Sequence, residues 1–190
     1  MKNISTLNYL VASALVTVLM LLIYGTVQQT YRTGLDDPQI QIARDLSLKL
    51  EQGRSIDPFI TGEPIDISHS LSPFIVLYDA QGKAIRSNAL LDGKMPQVPA
   101  GLFDIAGSTG EHRVSWQPRK GVRMAMVIVK TNTSPLQFVA SGRSMIEVEK
   151  RTGQMRVMVF YVWVISLAIL SITAILNHFL RSKKNIQKTV

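Results

Sequence analysis

The chain has 190 residues, 46% of them hydrophobic, with 21 Lys and Arg against 13 Asp and Glu, for a formal net charge of +8. That length allows one modest domain beside apolar segments and excludes two large domains. The absence of cysteine excludes disulfides, thiolate metal ligands and a cysteine nucleophile.

After a short tail, residues 1–6, the stretch "LNYLVASALVTVLMLLIYGTV" (7–27) is apolar almost throughout, and no charge falls between Asn3 and Tyr31. A bilayer core about 30 Å thick needs about 20 helical residues, so this stretch predicts a transmembrane helix. It is longer than a signal-peptide core and lacks a small-x-small cleavage site, and it reads as an uncleaved anchor. The second such stretch is "VMVFYVWVISLAILSITAILNHFL" (157–180), also without formal charge, with its span placed at 157–178. The basic run 179–190 contains Arg181, Lys183, Lys184 and Lys188. Next to a span it suits anionic membrane lipid, at about 1 kcal/mol per residue, and not nucleic acid.

Two spans put both termini on one side and residues 28–156 on the other. Sixteen of the basic residues and all the acidic ones lie in that loop, leaving it near +3. The basic tail argues for cytoplasmic termini; Lys150, Arg151 and Arg156 pull the other way, but long loops cross largely regardless of charge. The loop is expected outside the cytoplasm.

Within it, "DPQIQIARDLSLKLEQG" predicts a helix: Asp37 caps, Pro38 opens, Ile42, Ala43, Leu46 and Leu50 share a face, and Gly53 stops it. Residues 54–73, rich in Pro, Gly and Ser, read as a connection. "FIVLYD" (74–79), the turn "AQGK" and a short strand at 84–87 form a hairpin. Pro96 and Pro99 exclude regular structure from the next stretch, and a short helix is expected at 102–108. Strands at 111–118, 121–130 and 136–143 form an antiparallel meander. A last helix starts at Ser144, whose spacing from Glu147 suits a capping box, and runs past Gly153 into the second span.

The segments "PFIVLYDAQGKAIRSNALLDGKMPQVPAGLFD" and "GEHRVSWQPRKGVRMAMVIVK", ending in "ASGRSMIEVEKR", resemble the N-terminal extracytoplasmic PAS-like (Cache-type) sensor region of two-component sensor histidine kinases. The resemblance implies an α+β fold, a PAS-like antiparallel sheet domain between two transmembrane helices, in a bacterial inner membrane. It also implies a signalling role and a homodimer. Ala12, Ser13 and Ala14 in the first span, and Ser166, Ala168, Ser171 and Ala174 in the second, would permit close helix packing. The family's kinase has a phospho-accepting His followed by an acidic residue, then an ATP-binding domain. Here ten residues follow Leu180 and His178 lacks the acidic neighbour, so phosphotransfer is not expected. The expected act is non-enzymatic: binding a small ligand or protein outside and passing a conformational signal to a separate membrane partner such as a signalling kinase. A structural or assembly subunit of a membrane complex is the alternative.

No cofactor is expected. His69, His112 and His178 stand too far apart in sequence and setting to suggest a metal or general-base site. Ser141 lacks an acid–base pair, and the "NTS" sequon at Asn132 carries little weight in a bacterial setting. A ligand could lie against the sheet, with Arg123 holding a carboxylate and Tyr78 and Trp116 forming a stacking wall. The blander reading, Tyr78 and Trp116 as core and Arg123 as surface, is preferred.

Overall fold

The computed structural model describes residues 2–34 and 36–187. The side chains of Arg181, Lys183 and Lys184 and the whole of Lys188, to which the lipid-facing tail was assigned, lie outside the described residues, as does the side chain of Asp37. The chain divides into two compact units, one from Met1–Thr30 with Arg151–Val190, the other Tyr31–Lys150.

The elements in chain order are α1 (Lys2–Thr33), α2 (Asp36–Glu51), α3 (Asp57–Ile60), β1 (Ile65–Asp66), β2 (Phe74–Tyr78), β3 (Ala84–Ser87) and β4 (Ala89–Leu90). Then come α4 (Gly101–Thr109), β5 (Glu111–Arg119), β6 (Val122–Lys130), β7 (Phe138–Ser144) and α5 (Ile146–Gln187). The protein is thus α+β, with its sheet between two long apolar helices in sequence. Windows of 25 residues in α1 (Leu7–Tyr31) and 35 in α5 (Ile146–Leu180) are long and apolar enough to cross a membrane. Large apolar side chains such as Leu15, Leu22, Phe160 and Ile169 are exposed on both.

Within the first unit the two helices meet through polar side chains. Trp163 Nε1 donates to Thr17 Oγ1 (3.0 Å), and Asn177 Nδ2 donates to Tyr9 Oη (2.6 Å). In apolar surroundings each such bond contributes about 1 kcal/mol and fixes the register of the pair.

The second unit is built on a five-stranded sheet in the order β3-β2-β7-β6-β5, every neighbouring pair antiparallel. The meander is present as expected, and β2 adds to it by pairing with β7, from Phe74 opposite Gly142 to Tyr78 opposite Phe138. Both faces are covered, which is why "FIVLY" and "AMVIV" are unbroken apolar runs and not alternating ones. One face carries Phe74, Val76, Tyr78, Met124, Met126 and Ile128, packed under α4 and the chain around Val98. On the other face, Ile75, Leu77, Val127, Val129 and Val139 pack against Ile40, Ala43 and Leu46 of α2. Burial of this kind stabilises by about 25 cal/mol per Å² of apolar surface.

Two regions read as irregular contain more order. The connection 54–73 holds α3 and β1, and β1 pairs in parallel with β4, Ile65 opposite Ala89. These are two-residue strands with no periodicity to detect; the Ile65 and Ile67 amides donate to the Asn88 and Leu90 carbonyls (2.7 and 3.0 Å), while Asn88 Oδ1 accepts from Ile75 N (2.7 Å) and ties the stretch to β2. The capping-box expectation also changes in detail. Ser144 ends β7, α5 starts two residues later, and Ser144 Oγ accepts from the Ile146 amide (3.3 Å).

Candidate functional site

Tyr78 and Trp116 fall on the same sheet face as Met124, which pairs with Trp116. Tyr78 is 0% and Trp116 8% exposed. The Tyr78 ring packs tilted against Phe103, 4.8 Å between centroids and 59° between planes, and Phe103 in turn lies 5.1 Å from Phe138. Tyr78 Oη donates to the Pro96 carbonyl at 3.0 Å, and burial pushes its phenol above the ordinary range. This side chain has its packing partners and its hydrogen bond already. It is a core tyrosine.

Arg123 is on the other face, in step with Ala125 and Val127, because β6 alternates from Val122 onward. Its side chain is 39% exposed and lies 3.4 Å from Glu149 Oε1. The sheet therefore separates Arg123 from Tyr78 and Trp116. The three do not converge on one ligand, which corrects the candidate joint site against the sheet: Tyr78 and Trp116 are core, and Arg123 is a surface cation with an α5 partner.

The other singled-out residues have local roles. The Asn132 amide N and Nδ2 donate to Glu51 Oε1 at 3.1 and 3.2 Å, joining the β6–β7 loop to the end of α2. Asp79 Oδ1 accepts from Gln81 N and Lys83 N, closing the "DAQGK" turn. Gly82 in that turn has φ +74°, and a Cβ there would collide with the Phe103 ring. Among the described residues, no group of three His, Asp or Glu is placed to hold a metal ion.

What the structure brings together, and periodicity did not signal, is a small cluster on the α2 side of the sheet. Ala125 of β6, Met145 and Val148 at the entry to α5, and Tyr31 near the end of α1 pack against one another. The entry is held further by the Met145 amide donating to the Arg123 carbonyl (2.8 Å) and by the Arg123–Glu149 pair. All four residues belong to the second unit, Tyr31 in the last turns of α1 and Val148 in the first turn of α5. In sequence Tyr31 reads only as the edge of an apolar stretch and Ala125 as one small residue in a strand, so neither carries a signal. Comparison with family models, with curated proteins and with solved structures finds no match to this chain.

Proposed function

We propose that the chain is a two-span inner-membrane protein with both termini cytoplasmic. Residues 28–156 form an extracytoplasmic PAS-like (Cache-type) sensory domain that signals to a separate membrane partner. The observation that carries this reading is the cluster of Tyr31, Ala125, Met145 and Val148, where the ends of α1 and α5 share one contact with the sheet. An input that changed the sheet would bias both helices together, and a partner's membrane helices would read the change. The PAS-like assignment draws support from the five-stranded antiparallel sheet and the Asp79–Lys83 hairpin turn. The filled core around Tyr78 and Trp116 favours a protein over a small molecule as the input.

That filled core also suits a second reading, an assembly subunit whose domain only holds neighbours in place. One set of experiments separates them. A reporter that works only outside the cytosol should be active when fused after Ser108; its inactivity there, with activity of a cytosol-only reporter fused at the same residue, removes both the topology and the sensor. The full chain isolated in mild detergent should bring a membrane partner with it, and isolation alone counts against either reading. Ala125→Leu should leave capture intact while changing the partner's activity, and unchanged activity favours the assembly subunit.

A further inference from the structure

The face of α2 on the sheet carries Ile40, Ala43, Leu46 and Leu50, and helical spacing places Gln39, four residues before Ala43, at its start. Gln39 is polar and 0% exposed, and among the described residues neither Gln39 Nε2 nor Gln39 Oε1 has a hydrogen-bond partner. Ser141 of β7 is also 0% exposed with its Oγ unbonded. It points to the same layer, because its partners across the sheet are Ile75 and Val127, both in the α2-facing cluster.

The two stand at the same level. Arg44 of α2 bonds Glu111, which lies opposite Val129, while Ser47 Oγ donates to the Lys130 carbonyl, so α2 advances in the direction of β6. Gln39 is five residues before Arg44, about 7.5 Å back along the helix. That is about two strand residues. The row reached is Val127, whose β7 neighbour is Ser141.

We propose that Gln39 and Ser141 form one buried polar site that holds an internal water molecule between α2 and the sheet. A buried amide without partners is costly, and an apolar residue at 39 would have continued the stripe. A water accepts from Gln39 Nε2 and from Ser141 Oγ and donates to Gln39 Oε1, so all three atoms are served with no direct bond between the two side chains. The next row toward the start of β6 pairs Ala125 with Arg143, so the site borders the cluster that holds the long helices.

The test uses the full chain in detergent micelles. Gln39→Met and Ser141→Ala should each lower Tm by about 3 °C, and the double variant by no more than the larger single loss, because both singles break one shared site. Additive losses overturn the shared site. A rise in Tm with each single substitution overturns it too, since that is the response of groups with no partner at all. In the unmutated chain, the Gln39 side-chain amide protons should cross-relax with a slowly exchanging water. Coupling between the variants without that water signal identifies a direct Gln39–Ser141 bond and overturns the water.

Discussion

Single positions in this domain are decided by what crosses them. Gly142 sits in the middle of the sheet, and a Cβ there would stand 2.8 Å from Met126 Cγ and 2.9 Å from Phe74 Cε1. Phe74 is 1% exposed and cannot move away. Gly142→Ala should cost about 2 kcal/mol through overpacking. Gly153, within α5, has nothing within 4 Å of the same hypothetical atom, so Gly153→Ala should gain about 1 kcal/mol through helix propensity alone. Thermal unfolding of the two variants checks the opposite signs; equal responses would show that neighbours do not set the difference. The sequence shows two glycines. Only Phe74 lying across β7 distinguishes them.

At the scale of elements, α2 is fastened to the sheet partly by charge. Burial alone would raise the Glu111 carboxyl, but hydrogen bonds from Arg44 Nε (2.7 Å) and Arg113 Nε (2.9 Å), with the charges of both, hold it below the usual range. The folded state therefore takes up a proton less readily than the unfolded chain. The stability this gives is complete above the ordinary glutamate value of about 4.3 and is lost as pH falls through the lower, folded-state value. Exposure limits it to about 1 kcal/mol. Glu111→Gln should flatten part of the decline in Tm between about pH 5 and pH 3, measured on the full chain, and an unchanged slope would rule out the latch. Strand β5 and helix α2 were both legible, from an apolar–polar alternation and from the 42–43–46–50 face. That β5 would be an edge strand with Glu111 reaching an α2 arginine was not legible, because it depends on strand order and not on any local pattern.

For the whole molecule, the prediction concerns how the long helices are tied to the sheet. The chain has no cysteine, so a pair introduced at Tyr31 and Val148 reports on one contact without background. Oxidation in membranes should cross-link them within one chain, and Ala125→Leu, which wedges the cluster, should lower the yield severalfold; an unaffected yield would show that Ala125 does not hold the two ends together. The sequence by itself determined the two apolar helices, the first hairpin, the meander and α4, because each is written as a run or a period over neighbouring residues. Tertiary structure alone decided that β2 pairs with β7, that Arg123 lies across the sheet from Tyr78 and Trp116, and that the polar Gln39 and Ser141 are both fully buried. It alone also brought Tyr31 to the cluster of Ala125, Met145 and Val148. These are contacts between residues far apart in the chain, chosen by which faces can be buried together, and no local spacing encodes that choice.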